Sequence, residues 1–233
     1  MTSEQRKKLE GICSNTVSDA MTALKIANSG ATYGIRPIWE GCPRICGEAI
    51  TAKIGPEGFA ESASTHFGVL QAMQKAKPGS VLVMDHGGRM DVSTFGGIMA
   101  TTAQINGMAG VVVDGVTRDV DTFADIQFPV FSRGASVATS RGKTMAYSIN
   151  QMIQFGGLQV RPGDVVVADK SGVSIIPQER LDEVISLAVE LEGKEGEMIK
   201  TMRTGADPVE VDEKFNYEQM LNEKGKEYLE KEA

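Results

Sequence analysis

Short apolar runs rich in β-branched residues recur along the chain, and several of them end at a charged or small residue. Consecutive residues of this kind favour the extended state and leave no polar face, which predicts strands that are buried on both sides. The last two runs flank Lys170-Ser171-Gly172 and predict a β-hairpin. The predicted strands are 45–54, 81–84, 111–113, 128–131, 165–169 and 173–176.

Segments between these runs carry apolar residues at helical spacing. We expect Thr16 or Ser18 to cap the second helix. Residues 145–155 fit neither pattern. The predicted helices are 3–27 with a break at Gly11, 67–77, one through 98–105, a short helix or loop at 120–126, and one or two charged helices over 178–203.

The alternation of short strands and helices predicts an α/β fold. Several strand-to-strand links are too short to hold a crossover helix, so a mixed sheet, or two sheets, fits better than a doubly wound parallel sheet. We predict a single domain over residues 1–205. Residues 206–233 are highly charged and are predicted to form a C-terminal arm, lying on a neighbouring subunit or loosely held.

Charge and length narrow the possible functions. The net charge of −7 argues against a nucleic-acid surface, which normally shows a basic excess. No apolar run reaches the roughly 18 residues of a membrane span. The N-terminal residues are polar and lack an apolar signal core, so we expect a cytoplasmic protein.

Cysteine and histidine are scarce. Cys42 and Cys46 resemble half of a metal knuckle, but no second pair lies at zinc-site spacing, so together with Cys13 they are predicted to be free thiols. With only His66 and His86, a His-rich metal centre or a Ser-His-Asp triad is hard to build, although one histidine could act as an acid or base.

The segment 107–121 carries the most distinctive chemistry. Its apolar run ends at Asp114-Gly115, which predicts a sharp turn, and Arg118 and Asp119 follow at the mouth of the strand. A guanidinium there can grip a carboxylate or enolate, and the carboxylate can hold a divalent metal. The alternative is a turn capped by a local ion pair.

The segment just upstream favours the functional interpretation. Gly96-Gly97 opens the predicted helix and exposes unpaired N–H groups at the positive end of its dipole, where carboxylates and phosphates bind. We predict that the amides of 96–99 and the Arg118-Asp119 pair face one small anionic ligand. Asp85 and His86 follow another strand and are further candidates, although such an aspartate often only forms a turn.

Five segments resemble, in order, a single protein family. The family takes in regulator of ribonuclease activity A and the 4-hydroxy-4-methyl-2-oxoglutarate / 4-carboxy-4-hydroxy-2-oxoadipate aldolases. The likeness runs from about Ser18 to Gly205 and is more specific for the family than for an activity. The segments are PGSVLVMD, FGGIMATTA, GMAGVVVDGVTRDVD, FPVFSRG and VRPGDVVVADKSGVSIIP.

The resemblance implies a swivelling β/β/α-type fold with mixed sheets and C-terminal helices, assembled as a homotrimer or a dimer of trimers. It also implies Mg²⁺ or Mn²⁺ and a small 2-oxo acid substrate. Arg118 would bind substrate, and a glutamate from the neighbouring subunit's C-terminal helix would hold a water bound to the metal. The implied assignments are Asp119 and Glu195 for the metal (Glu192 and Glu197 being alternatives to Glu195) and the amides of Gly96, Gly97, Ile98 and Met99 for the pyruvoyl carboxylate.

One position departs from the aldolase pattern. Those enzymes carry an acidic residue twenty-one positions before the substrate arginine, and here that position is Gly97. Loss of one such outer contact costs about 10–100-fold in metal affinity or activity. Asp85, His86 and Asp91 are the candidate replacements.

The predicted function is therefore a metal-dependent lyase that releases pyruvate by retro-aldol cleavage, oxaloacetate decarboxylation or both. The alternative is a non-catalytic, protein-binding regulator of a ribonuclease. A methyltransferase is disfavoured, because no glycine-rich nucleotide fingerprint follows the first strand.

Overall fold

The computed structural model of the protein describes residues 1–27, 32–58, 64–217, 219 and 221–223. Its strands are β1 (Arg36–Pro37), β2 (Ile45–Pro56), β3 (Val81–Ser93), β4 (Gly110–Thr117), β5 (Val130–Ser132), β6 (Gly134–Ala135), β7 (Thr144–Ile149), β8 (Ile153–Phe155), β9 (Leu158–Val160), β10 (Val165–Asp169) and β11 (Gly172–Ile176). Its helices are α1 (Ser3–Glu10), α2 (Ser14–Ala23), α3 (Thr65–Met73), α4 (Gly97–Ile105), α5 (Val120–Asp125), α6 (Leu181–Met202) and α7 (Pro208–Phe215), with a 3-10 turn (Gln178–Arg180) before α6.

The main sheet is mixed, as the sequence predicts. Its strands follow the order β1-β5-β4-β3-β2-β10-β11, and the central four, β5 to β2, are parallel. The β10–β11 hairpin pairs antiparallel with β2, and β7 pairs with the far half of β2. The α/β class and the hairpin about residues 170–172 are thereby confirmed.

Two apolar layers cover the sheet. One holds the central strands with α3, α4 and α5, and the other packs α1, α2 and α6 on β10 and β11. Strand β10 shows the alternation that separates them: Val165 and Val167 face the helical layer, whereas Val166 and Ala168 face the central core. Strand β4 is buried at every position, as expected for a central parallel strand.

The predicted turn at Asp114-Gly115 is wrong, because β4 continues to Thr117. A Cβ on residue 115 would lie 3.0 Å from His86, so this glycine permits the close approach of β3 and β4. Strand β3 likewise runs on to Ser93, with register shifts after Asp85 and Arg89. Asp85 and His86 are therefore buried within the strand and do not enter a loop.

Other boundaries moved less. Cys13 occupies the N-cap of α2 without a side-chain hydrogen bond, so the predicted caps are wrong. Thr16 lies inside the helix and donates its hydroxyl to Glu192 of α6, at 2.7 Å. Strands β7 and β8 fill much of 145–155, and a single helix, α6, covers most of 178–203. Helix α7 lies in the predicted arm. Within the described residues, no helix combines the length and apolar character that a membrane crossing needs.

Candidate active site

Arg118 and Asp119 follow the end of β4 and line a cavity of about 70 Å³, larger than the ~30 Å³ that one water occupies in the liquid. The strand ends at Thr117 and the next helix begins at Val120, so both side chains project from the connection between two ordered elements. The cavity is lined by His66, Ser93, Thr94, Phe95, Gly96, Ile98, Met99, Arg118, Asp119 and Ser140.

Asp119 has an unusual backbone for a non-glycine residue, with φ of 58° and ψ of 42° in the left-handed region. Oδ2 of its carboxylate accepts the N–H of Gly97, at 2.9 Å. Oδ1 accepts no hydrogen bond from the described residues and is therefore available to a ligand.

The Arg118–Asp119 ion pair is loose. Arg118 Nε lies 3.6 Å from Asp119 Oδ2, and the two side chains are 41% and 44% exposed. An exposed pair at this separation contributes little to stability, about 0–1 kcal/mol. The guanidinium can therefore turn to an anionic ligand at small cost to the fold.

Helix α4 begins beside this pair, as the sequence predicts. Gly96 is its N-cap, and the first intrahelical hydrogen bond runs from the Ala100 N–H to the Gly96 carbonyl. The N–H groups of Gly97, Ile98 and Met99 precede that bond and have no partner within the helix. Asp119 already takes the Gly97 amide, whereas Gly96, Ile98 and Met99 line the cavity.

Gly96 makes the close approach possible. A Cβ at this position would lie 2.6 Å from Asp119 Oδ2 and 3.1 Å from Arg118 Cγ. The backbone there is extended, with φ of −149°, so the requirement for glycine comes from space and not from conformation.

Gly97 has a different neighbour. A Cβ on residue 97 would lie 3.0 Å from Thr122 Cγ2. An acidic side chain at position 97 would therefore contact Thr122 of α5 from its first carbon atom.

A second, larger cavity of about 600 Å³ adjoins the first. Four residues line both: His66, Ile98, Arg118 and Ser140. The larger cavity is polar and is also lined by Glu57, Ser64, Thr65, Thr139, Arg141, Gly142, Thr144 and Met145.

His66 is the site residue that sequence reasoning did not select. It is the second residue of α3, which Ser64 caps by accepting the Phe67 N–H. Helix α3 packs against β7, β2 and α4, so the fold brings a segment distant in the chain to the cavity of Arg118. The Ser64 cap was the only local signal, and it indicates a helix start without indicating a site.

The proposed replacements for the missing acid lie elsewhere. Asp85 is paired with Lys53 at 2.6 Å, and Asp91 with Arg89 at 2.7 Å. His86 is buried, and its two ring nitrogens have no hydrogen-bond partner among the described residues. None of these three candidates lines either cavity.

The predicted metal glutamates lie on α6, away from both cavities of this chain. The Tyr217 hydroxyl donates to Glu195, and burial together with that carboxylate raises the pKa of Tyr217. Glu192 accepts from Thr16 and Glu197 is exposed.

Asp119 could supply one ligand to a hard cation such as Mg²⁺. Mg²⁺ is usually held by one or two carboxylates, with waters and substrate completing its shell, and a half-exposed carboxylate with a free oxygen fits that donor set. Within the described residues, no cluster of three His, Cys, Asp or Glu could hold a metal. Cys13, Cys42 and Cys46 are free thiols, as predicted, and burial raises the pKa of Cys42 to about 11.

These features define a class of protein: a mixed α/β domain with a small polar cavity where a helix N-terminus, a guanidinium and a carboxylate converge. The family model "RraA-like: Aldolase/RraA" matches residues 14–175. The chain belongs to this RraA-like family, which confirms the resemblance and the fold class.

Two relatives and one solved structure illustrate the similarity. The chain is 34% identical over 172 residues to "Putative 4-hydroxy-4-methyl-2-oxoglutarate aldolase" of Halalkalibacterium halodurans, covering 74% of this chain and 76% of that protein. It is 31% identical over 206 residues to Protein DlpA of Legionella pneumophila, covering 87% of this chain. The chain spans about a third of that relative, 32% of its length.

The solved structure is Streptomyces coelicolor RraAS2, described as an unusual member of the RNase ES inhibitor RraA protein family. Its TM-score with this protein is 0.73 at 22% identity, and the match covers 87% of this chain and 98% of that one. Identity this low shows the shared fold alone.

Proposed function

We propose that this protein is a divalent-metal-dependent lyase that cleaves a 2-oxo acid to pyruvate. The observation that carries the proposal is the convergence of Arg118, Asp119 and the N-terminus of α4 on one cavity. The name of the Halalkalibacterium halodurans relative supports an aldolase-type activity.

The chain's own groups match the charges of such a substrate. The N–H groups of Ile98 and Met99 and the positive end of α4 would bind the substrate carboxylate. The Arg118 guanidinium would lie beside the ketone oxygen and stabilise the negative charge that develops there as the enolate forms. Its loose pairing with Asp119 leaves it free to do so.

Asp119 would hold Mg²⁺ or Mn²⁺ through its free oxygen. When bound, such an ion supplies Lewis-acid polarisation of the 2-oxo acid. In a homotrimer or dimer of trimers, Glu195 of a neighbouring copy would complete the site, with Glu192 and Glu197 as alternatives. That assembly is part of the proposal.

Gly97 makes the two possible reactions unequal. In a retro-aldol reaction a base must remove the hydroxyl proton of the substrate, whereas decarboxylation of oxaloacetate releases CO₂ without such a base. Because position 97 carries no acid, cleavage that depends on that acid is weakened. We expect oxaloacetate decarboxylation to persist even where aldol cleavage is slow.

The test is pyruvate release from oxaloacetate and from 4-hydroxy-4-methyl-2-oxoglutarate, with and without Mg²⁺ or Mn²⁺. The wild type should require the ion, and Asp119→Asn should lower turnover by about 100-fold or more, which is typical when a charged group of a site is removed. Asp121→Asn is the matched control, because Asp121 is an exposed aspartate in the first turn of α5.

Titration with Mn²⁺ followed by electron paramagnetic resonance gives a second readout. The wild type and Asp121→Asn should bind the ion, and Asp119→Asn should bind it at least tenfold more weakly. Equal turnover in Asp119→Asn and wild type would contradict the assignment.

A protein-binding regulator is the second candidate. The similarity to RraAS2, whose description names an RNase ES inhibitor, supports it through the fold alone. Absence of turnover on every 2-oxo acid, together with inhibition of a ribonuclease that survives Asp119→Asn, would favour this alternative.

A further inference from the structure

We propose that His66 is the base that takes the substrate's hydroxyl proton in the retro-aldol reaction. This inference rests on the proposed function and assigns it a second catalytic residue. His66 is an exposed residue near the start of α3 and lines both cavities.

The position of His66 follows from how a substrate would span the cavities. The small cavity contains the N-terminus of α4, so it takes the carboxylate and ketone of the 2-oxo acid. The leaving group then extends into the larger cavity, which has room for it. The bond that breaks, and the hydroxyl beyond it, lie where the two cavities meet.

Among the residues that the structure describes, four line both cavities, and they narrow the choice of base. Ile98 and Ser140 do not titrate near neutral pH. Arg118 stays protonated and cannot accept a proton. A neutral imidazole can, and an ordinary histidine titrates close to physiological pH.

The proton and electron balance is complete without another reactant. A ring nitrogen of His66 takes the hydroxyl proton, directly or through one water, and the oxygen becomes the carbonyl of the leaving product. The C3–C4 bond breaks, and its electron pair forms the enolate beside Arg118. The imidazolium then returns the proton to C3 and yields pyruvate.

Other charged groups lie around His66. Glu57 follows β2, Arg118 and Asp119 follow β4, and Arg141 lies in the turn before β7. Tyr147 comes from β7, which packs on α3, and donates its hydroxyl to the Pro56 carbonyl.

The experiment compares two reactions of the same protein at saturating Mg²⁺ or Mn²⁺. His66→Asn should lower kcat for 4-hydroxy-4-methyl-2-oxoglutarate by about 100-fold, the lower end for loss of a general base. Oxaloacetate decarboxylation should change by less than about threefold, because CO₂ departs without proton removal. The acidic limb of the retro-aldol pH profile should disappear, and imidazole should restore cleavage in His66→Ala.

His86→Leu is the matched control, because it removes the only other histidine and lies outside both cavities. It should leave the ratio of the two reactions unchanged. Equal losses of both reactions in His66→Asn, or no loss of either, would overturn the role of His66 while leaving the lyase intact. A wild type inert on both substrates would overturn the proposed function and this inference together.

Discussion

Two groups of charged residues include aspartates that follow the apolar runs of β3 and β4, and the two groups have different surroundings. The first, which we call the buried ion-pair cluster, pairs Lys53 with Asp85 and Arg133 with Asp114. Backbone amides of the β8–β9 segment donate to both carboxylates, which are almost fully buried. The second group is the Arg118–Asp119 pair, loose and nearly half exposed.

The difference separates charged residues that stabilise the fold from charged residues that are available to a ligand. In the buried ion-pair cluster, both carboxylates accept hydrogen bonds from a side chain and from a backbone amide, and they tie the β8–β9 hairpin to the sheet. The Arg118–Asp119 pair leaves a carboxylate oxygen and most of a guanidinium open to a cavity. The sequence pattern alone did not distinguish them, because Asp85, Asp114 and Asp119 all lie at or shortly after an apolar run.

The largest expected effect comes from making the same substitution in both groups. Arg133→Met leaves the buried carboxylate of Asp114 without its cation, which should cost about 3 kcal/mol of unfolding free energy. Arg118→Met should cost less than about 1 kcal/mol, because that pair is exposed. Urea unfolding measures both.

Activity should reverse this order. Turnover per folded molecule should fall by about 100-fold in Arg118→Met, if the guanidinium stabilises the enolate, and stay near wild type in Arg133→Met. Similar stability losses in the two variants would remove the distinction between the groups.

The next largest effect concerns His86, a buried residue whose ring nitrogens have no hydrogen-bond partner among the described residues. Burial, assisted by Arg89, lowers the pKa of His86 to about 4, although Asp91, Asp85 and Asp114 oppose the shift. The pKa of His86 in the folded state lies below the unfolded value of about 6.5. The contribution of the neutral ring to the free energy of unfolding is therefore fully present above pH 6.5. That contribution is lost as the pH falls from about 6.5 towards 4.

Unfolding free energies at pH 7 and pH 5 check this expectation. Between pH 6.5 and 5 the group should cost the wild type about 2 kcal/mol, since each pH unit in this window is worth about 1.4 kcal/mol. His86→Leu cannot titrate and should lose correspondingly less stability over the same range. Parallel losses in the two proteins would show that His86 does not titrate as expected.

Local sequence found the parts of the site that are contiguous. Arg118 and Asp119 are adjacent, and the glycine pair at 96–97 opens a helix in the usual way, so both were predictable. His66 was not predictable, because the packing of α3 against β7, β2 and α4 brings it to that cavity, and that packing joins segments far apart in the chain.

Errors in the strands have a related cause. Gly115 was interpreted through its conformational freedom, whereas the fold uses its lack of a side chain against His86. Gly87 and Gly88, both with positive φ, lie where β3 is irregular and do not end it. A glycine in the sequence indicates that an unusual backbone conformation or a close contact is possible at that position. Which of the two occurs depends on the neighbouring strand.

A smaller effect on stability is expected at Gly96. In Gly96→Ala the new Cβ would press on Asp119 Oδ2, which should cost about 1 kcal/mol and lower turnover at least tenfold by displacing the carboxylate. Gly193→Ala is the control: it lies within α6, where none of the described atoms comes within 4 Å of the new Cβ. That change should stabilise the helix by about 0.5–1 kcal/mol. Undiminished activity in Gly96→Ala would mean that the close approach is dispensable.

The smallest expected effect on stability is that of Asp119→Asn. Asparagine tolerates the left-handed backbone of this residue, and its side-chain oxygen can still accept the Gly97 N–H. The unfolding free energy should therefore stay within about 0.5 kcal/mol of wild type, the range of ordinary surface substitutions. Asp119→Ala keeps neither advantage and should lose about 1–2 kcal/mol. If both variants lose turnover equally, the charge of Asp119 is needed for the reaction; if asparagine restores turnover, the residue acts by holding the start of α4 in place.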